Sequence, residues 1–359
     1  MISRSHDNSY KVFEPTLREV EFLLNLFDEI YWYGFETKET GSDLFRLPAS
    51  DKIILRPLPK ALGGDSLLKK LKILPYLPLL VWRICSLVGN YTFIHTRAPS
   101  LPAWVAIYVS RFFKDKKYWH KYAGNWGQLH PPFSYQWQRA LLKKSIHPVT
   151  INGNWQDKNP VIMTFENPCF SEDELSLARL CNKSFKNKEL HVLFVGRWEL
   201  EKGIHHVVTA ARLLPKTITW HLVGDGKEKN WVKEQVSNLT NINLVGAINR
   251  KSLNELYARC HFFVLPTVAS EGFPKVISEA AGFGCIPIVS SVSSIAQYVT
   301  SEFGYILPEC SGTALAKALE TLRQDPFLDM KSEKAKSFAQ LFTYERYVAR
   351  IRNEIFQIH

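Results

Sequence analysis

Glu271 and Glu279 stand eight positions apart in the run Ser270-Glu271-Gly272-Phe273-Pro274-Lys275-Val276-Ile277-Ser278-Glu279-Ala280-Ala281-Gly282. That spacing puts one carboxylate on a loop and the other on the first turns of a helix, with a glycine and a helix N-terminus between them. Pro274 suits the first helical position, where its missing N–H would have been unpaired in any case. The next backbone N–H groups then point outward, toward an anion such as a phosphate. Two flanking carboxylates can accept hydrogen bonds from the hydroxyls of the same ligand. A negatively charged, hydroxyl-rich molecule would fit there. On spacing alone a second reading stays open, with Glu271 a solvated loop residue and Glu279 a surface helix residue, because acidic groups favour helix starts.

A second constellation lies upstream, in Phe194-Val195-Gly196-Arg197-Trp198-Glu199-Leu200-Glu201-Lys202-Gly203. An apolar strand ends in Gly196, a loop carries Arg197 and Lys202, and a helix starts near Gly203. Two cations at the mouth of a crevice suit a diphosphate, and each charge-assisted hydrogen bond contributes on the order of 1.5–3 kcal/mol. Taken alone, both could equally be surface charges. No metal site is expected. Glu172-Asp173-Glu174 follows Ser171 as a capping box with first-turn helix charge. His205 and His206 are neighbours on a helix and point to different faces. No D-x-D, H-E-x-x-H or Cys/His cluster occurs. Val223-Gly224-Asp225-Gly226 lacks the third glycine of a dinucleotide fingerprint.

These residues need rigid elements behind them. The apolar runs 190–195, 218–223, 242–245, 262–265 and 286–289 are short and rich in β-branched residues, which predicts buried strands. Between them, Ile204, Val207, Val208, Ala211 and Leu214 share one helix face, and 251–260 carries Leu253, Leu256 and Tyr257 on one side. This alternation predicts a parallel, doubly wound sheet with its crevice at the strand C-terminal ends. The first half repeats the pattern faintly, with strands expected at 30–33, 91–95 and 117–120 and helices at 16–27 and 103–113.

With 359 residues and 46% hydrophobic content the chain can bury two cores. Cys85, Cys169, Cys181, Cys260, Cys285 and Cys310 form no C-x-x-C pair, so neither a disulfide framework nor zinc is indicated. No signal segment is visible at the start, which reads as an intracellular chain. The net charge of +11 is concentrated in 52–150, where sixteen basic residues face only Asp65 and Asp115. Such a patch attracts nucleic acid, an anionic membrane surface or an acidic substrate. Residues 67–83 interleave lysines with large apolar side chains, a composition suited to a bilayer interface, while Pro75 and Pro78 break the stretch too early for a span. An ordinary helix with solvated lysines is the other reading. The expected partner is an anionic membrane surface and no nucleic acid, with the protein peripheral at the cytoplasmic face.

Together these residues resemble the retaining nucleotide-sugar glycosyltransferases of the GT-B class, specifically glycosyltransferase family four, the glycosyl transferases group 1. The motifs that carry the resemblance follow in order: Gly196-Arg197 with Glu201-Lys202-Gly203, then Gly224-Asp225-Gly226, then Val264-Leu265-Pro266-Thr267, then the E-x7-E element from Glu271 to Glu279. The close match covers 187–322. It implies an α/β fold of two Rossmann-like domains facing a central cleft. Arg197 and Lys202 would bind the donor diphosphate and stabilise charge on the leaving group, so that neither metal nor cofactor is needed. Glu279 would hold the ribose hydroxyls. Glu271 and the backbone from Gly272 through Phe273 and Pro274 to Lys275 would position the sugar and its nearest phosphate, with Val276 adjoining. Gly224, Asp225 and Gly226, with Ala247 and Ile248 after Gly246, would border base and ribose, and Gly196 would be a further donor-binding residue.

The first half departs from the family, because the chain opens on polar residues where a strand and glycine-rich loop are usual. The first strand of the N-terminal domain therefore reads as missing, with His6-Asp7-Asn8-Ser9-Tyr10 as the remnant of its loop, which leaves the completeness of the N-terminus open. Arg97, His120, Lys121 and Asn125 lie where the family has acceptor-side loops, although a core or surface role suits His120 as well. The expected organisation is an N-terminal acceptor-side domain over 1–165, a nucleotide-sugar-binding domain over 166–341, and a terminal helix over 342–359 crossing back. The resemblance implies a metal-independent hexosyltransferase that moves sugar from a nucleotide diphosphate donor to a saccharide or lipid-linked acceptor, and the basic, apolar first domain suggests an acceptor at the membrane surface, as in cell-envelope polysaccharide biosynthesis. An inactive GT-B-fold binding or scaffolding protein is the alternative.

Overall fold

The chain divides into two units, Met1–Phe165 with Tyr347–His359, and Glu166–Arg346. The computed structural model describes residues 2–4, 9–37, 45–58, 74–186 and 189–358. Residues 6–8 and 59–73, with the lysines and the first part of the interfacial stretch read above, lie outside them.

The first unit runs β1 (Ile2–Arg4), β2 (Tyr10–Phe13), α1 (Glu14–Leu23), β3 (Ile30–Thr37), β4 (Phe45–Arg46), β5 (Ile53–Leu58), α2 (Leu77–Asn90), β6 (Phe93–Ala98), α3 (Leu101–Val109), β7 (Lys117–Tyr122), α4 (Phe133–Lys143), β8 (Val149–Asn152) and β9 (Ile162–Phe165). Its strands form two sheets, ordered β4-β2-β1-β3-β5 and β6-β7-β8-β9, the second parallel throughout. The expectation of a missing first strand is corrected here. Ile2 pairs with Glu36 and Ser3 with Thr37 in parallel register, while β2 takes the other edge antiparallel. With the sequence Ile-Ser-Arg, the strand offers one apolar side chain, the fully buried Ile2, and no period can be read from one position.

Boundaries in this unit moved by two to four residues, and β5, β8, β9 and α4 were not foreseen. α3 begins at Leu101 because the Ser100 hydroxyl accepts the Ala103 N–H at 3.3 Å and Pro102 occupies the first turn. Residues Tyr118 to Tyr122 of β7 are all buried, so the strand is covered on both faces.

The second unit contains α5 (Glu172–Arg179), β10 (Leu190–Val195), α6 (Ile204–Leu213), β11 (Ile218–Val223), α7 (Lys229–Val236), β12 (Ile242–Gly246), α8 (Arg250–Arg259), β13 (Phe262–Leu265), α9 (Lys275–Gly282), β14 (Ile286–Val289), α10 (Ile295–Tyr298), β15 (Tyr305–Ile306), α11 (Gly312–Arg323), α12 (Leu328–Phe338) and α13 (Tyr344–Arg350), whose last turn joins the first unit. All pairings of its sheet are parallel, in the order β12-β11-β10-β13-β14-β15. This is the doubly wound order in which the chain reverses direction across the sheet between β10 and β13. The loops after those two strands therefore flank a crevice, and they carry Arg197, Lys202 and Glu271.

The capping box at Ser171 is present: its hydroxyl accepts the Glu174 N–H at 3.1 Å, and the Glu174 carboxylate accepts the Ser171 N–H at 2.9 Å. All six cysteines are free. Among the described residues no helix is long and apolar enough to cross a membrane.

Candidate active site

The crevice of the second unit is lined first by backbone. Gly224 has φ +133°, and a Cβ there would lie 1.9 Å from the Gly196 carbonyl oxygen. A side chain at Gly224 would force the ends of β10 and β11 apart, so this glycine lets the two turns meet. The Gly196 N–H donates to Val223 and the Gly224 N–H to Gly246, at 3.1 and 2.9 Å. Trp198, buried, donates its N–H to the Asp225 carbonyl at 3.0 Å and ties the Arg197 loop to the Gly224-Asp225-Gly226 turn. Asp225 pairs with Lys229 at 2.6 Å. That hydrogen bond and the Gly226 N–H lower its pKa.

Arg197 stands largely in solvent, bonded at 2.9 Å to Glu199. Lys202 ends a short 3-10 turn, Leu200–Lys202, and Gly203 caps it with φ +81°. Its ammonium is largely buried and joined directly to the Glu271 carboxylate. Lys202 and Glu271, one on each side of the strand-order reversal, thus meet across the crevice. The turn is also bound to the loop after β13: the Glu201 carbonyl accepts from the Val268 and Ala269 amides and from the Thr267 hydroxyl, at 2.8, 3.1 and 2.9 Å.

On the far side of Glu271 its N–H donates to the Ser293 hydroxyl at 3.2 Å. Ser293 holds φ +56°, the sole non-glycine residue with positive φ among the described residues. Strain of this kind persists only where the surroundings fix it. Gly272 follows Glu271 in the same loop, and Phe273 is buried and stacked on Phe342 with centroids 5.1 Å apart. Pro274 is the N-cap of α9, one position earlier than expected, so the helix begins with the amides of Lys275 and Val276.

Glu279 lies one face further along α9. Its Oε1 accepts from Arg250 Nη1 at 3.0 Å and its Oε2 from the Tyr257 hydroxyl at 3.2 Å. Arg250 also donates to the Cys169 carbonyl at 2.8 Å and approaches Glu174 at 3.5 Å. Burial alone would lower the Arg250 pKa, but the carboxylates of Glu279 and Glu174 outweigh it and raise it. Burial first, and then the Glu279 charge, push the Tyr257 pKa well up. Glu279 is therefore a largely buried carboxylate held from two sides, which excludes the solvated surface residue considered above. Arg250 and Tyr257 were not foreseen as site residues. Both lie on α8 seven positions apart, a helical repeat that could have signalled a shared face. Ala247 and Ile248 lie in the loop between β12 and that helix, whose N-cap Asn249 accepts the Ser252 N–H at 3.0 Å.

The acceptor-side candidates lie in the first unit. Arg97 and Lys121, at the C-terminal ends of β6 and β7, donate to Glu19 Oε1 at 2.9 and 2.6 Å, and the Tyr347 hydroxyl joins the same oxygen at 3.1 Å. Lys121 and Glu19 are each 1% exposed, so Lys121 neutralises an interior carboxylate. His120 is fully buried, bonded through Nδ1 to Thr96 at 2.8 Å, and burial pushes its pKa down to about 3. It is a neutral core histidine, so of the two alternatives for His120 the core one fits and the surface one is corrected; β7 is buried on both faces. Asn125 is nearly buried and accepts the Gly127 N–H at 3.0 Å. Among the described residues no group of three or more His, Cys, Asp or Glu side chains is arranged to hold a metal ion.

Residues 181–340 match the family model described as Glycosyl transferases group 1. Glycogen synthase of Mycobacterium tuberculosis is 29% identical over 142 residues, 38% of this chain and 34% of that protein. An uncharacterized glycosyltransferase of Haemophilus influenzae is 28% identical over 204 residues, 54% of this chain and 55% of that protein. The chain thus spans between a third and somewhat over half of the length of these curated relatives. Among solved structures, Anabaena HepE in complex with UDP superposes with a TM-score of 0.73 at 18% identity, covering 97% of this chain and 98% of that one. Sucrose-phosphate synthase from Thermosynechococcus elongatus gives 0.68 at 21% identity, covering 95% and 92%. The chain therefore has the α/β architecture of the GT-B glycosyltransferases, with two Rossmann-like domains, and the Glycosyl transferases group 1 match falls in the second.

Proposed function

We propose that this chain is a retaining, metal-independent glycosyltransferase that moves a hexose from a nucleotide diphosphate sugar to a saccharide or lipid-linked acceptor. The observation that carries the reading is the meeting of Lys202 and Glu271 across the strand-order reversal, beside a carboxylate, Glu279, held from two sides. A cation at the crevice suits the diphosphate. Glu271 and the start of α9 suit the sugar and its nearest phosphate. Glu279 keeps acceptor capacity for ribose hydroxyls, since a carboxylate offers about four lone-pair sites. The UDP held by Anabaena HepE supports a nucleotide-sugar donor.

In this reaction the bond between the sugar C1 and the diphosphate oxygen breaks while an acceptor hydroxyl bonds to C1 from the same face. The departing diphosphate takes the hydroxyl proton and leaves as nucleoside diphosphate. Arg197 and Lys202 stabilise the charge that builds on it, which preorganised cations do without reorganisation at the moment of reaction. Glu271 and Glu279 position sugar and ribose, and neither is a nucleophile. The basic first domain fits an acceptor at an anionic membrane surface, as in cell-envelope polysaccharide assembly.

The test is turnover of a panel of nucleotide sugars, with the anomer of the product read by proton NMR. The expected result is transfer or slow donor hydrolysis with retention, reduced about ten- to hundredfold in Lys202→Ala, the loss of one charge-assisted contact. Nucleotide binding with no turnover on any acceptor would favour the scaffold reading, and undiminished turnover in Lys202→Ala and Glu279→Ala would remove both residues from the site.

A further inference from the structure

Helices α2, α3 and α4 lie side by side on the first unit, α3 between the other two. Their inner faces supply its core: Leu80, Ile84 and Val88 of α2 pack with Val105, Ala106 and Val109 of α3. Their outer faces carry a series of aromatic rings. On α3 and the turn after it, Trp104, Tyr108 and Phe112 recur every four residues, and on α4 so do Phe133 and Trp137. Trp104 meets Trp137 with centroids 5.0 Å apart, Trp137 meets Phe133 at 5.7 Å, and Tyr108 meets Phe112 at 5.5 Å. Phe133 is 74% exposed, Phe112 69%, Tyr108 49% and Trp137 44%. Trp82 of the neighbouring α2 is 67% exposed.

Five rings in one stripe on a soluble surface mark an interaction site, since monomers rarely leave such patches open. The surrounding charge selects the partner. Between Leu74 and Lys158 the chain carries eleven basic residues and two acidic ones, Asp115 and Asp157, the second 3.9 Å from Lys143. Arg83, Arg111, Lys114, Lys143 and Lys144 are exposed. Apolar Phe rings with polar-edged Trp and Tyr, on helices that also expose cations, match the headgroup region of an anionic bilayer, where aromatic side chains seat and lysines neutralise phosphates. We infer that the stripe Trp104–Tyr108–Phe112 with Phe133–Trp137 docks the protein on an anionic lipid surface.

The inference locates the peripheral association proposed above on named residues. It requires no step of sugar transfer, so vesicle binding can fail or succeed independently of turnover. The test is co-sedimentation of the full chain with vesicles of phosphatidylglycerol in phosphatidylcholine, against phosphatidylcholine alone, at two salt concentrations. Wild type should bind the anionic vesicles, and Phe133→Ser/Trp137→Ser should bind about tenfold more weakly at both salts. Lys114→Gln/Lys144→Gln should lose a similar factor at low salt and less at high salt, because surface potentials are screened. The ring positions are exposed, so unfolding temperature and nucleotide turnover should stay unchanged. No vesicle binding by wild type, or equal binding by the ring variant, would overturn the inference. A concentration-dependent dimer that the ring variant abolishes, without vesicle binding, would assign the stripe to a second copy. A shift of DNA or RNA that the ring variant abolishes would assign it to nucleic acid.

Discussion

Glu279 depends on two side chains that its own helix does not supply. Arg250→Met removes the cation facing both Glu279 and Glu174 and its hydrogen bond to the Cys169 carbonyl. The pair keeps some solvent access, so the expected loss is about 2–3 kcal/mol, somewhat below that of a fully buried ion pair. Tyr257→Phe removes a single hydrogen bond to a charge and should cost about 1.5 kcal/mol. Urea unfolding measures both, and an unchanged midpoint for Arg250→Met would contradict the geometry. Spacing in the sequence isolated Glu271 and Glu279. It could not assign their partners, because Lys202 lies 69 positions before Glu271 and Arg250 lies 29 before Glu279. Only the sheet brings them together. For His120 and Lys121 the sequence marked the right strand but could not reveal that helices cover both its faces.

At the scale of elements, two turns and one strand cluster make predictions. Gly203 holds φ +81°, and a Cβ there would lie 1.8 Å from the Pro266 carbonyl oxygen, whereas Gly246 holds φ +78° with open space around it. Gly246→Ala should cost about 1–2 kcal/mol, the left-handed backbone alone. Gly203→Ala should cost clearly more, because the turn carrying Lys202 must also withdraw from the loop after β13. Equal losses in thermal unfolding would contradict this. His191 on β10, His221 on β11 and His261 just before β13 stack together, with His191 Nδ1 and His221 Nε2 at 3.1 Å. Burial first, then the neighbouring His191 and Arg259, lower the His221 pKa to about 4; burial and Lys183 do the same for His261. Unfolded histidine titrates near ~6.5, so the unfolded state takes up protons first as pH falls. Stability should be complete above about pH 6.5 and decline from there to about pH 4. Unfolding temperatures across that range measure it, and His221→Gln should flatten the decline. Five of the six strands of the second unit were legible: β10, β11, β13 and β14 are buried and read as continuous apolar runs, the half-buried edge strand β12 still carries Ile242, Leu244 and Val245, and the two-residue β15 is too short to show a run. In the first unit, the three-residue β1 and the aromatic, glutamine-rich α4 carry neither period cleanly.

Across the whole chain, the C-terminal segment is part of the first unit. Tyr347 reaches Glu19 beside Arg97 and Lys121, Arg350 lies 3.9 Å over the Phe165 ring, and Ile351 and Ile355 share a core with Leu23 and Trp119. The family resemblance implies that 342–359 crosses back, and the segment joins the first unit from Tyr347 onward, but the buried carboxylate of Glu19 that receives it is marked by no local sequence signal. The residues proposed to hold the donor, by contrast, all fall within one sheet and its loops, and the central claim concerns that sheet. Its most direct test is calorimetric titration of UDP and GDP into the full chain, Lys202→Ala and Glu279→Ala, in the presence of a chelator. The account predicts one-to-one binding of at least one nucleotide without metal, weakened about tenfold or more in each variant. No binding of either nucleotide, or variants that bind as the wild type does, would contradict it.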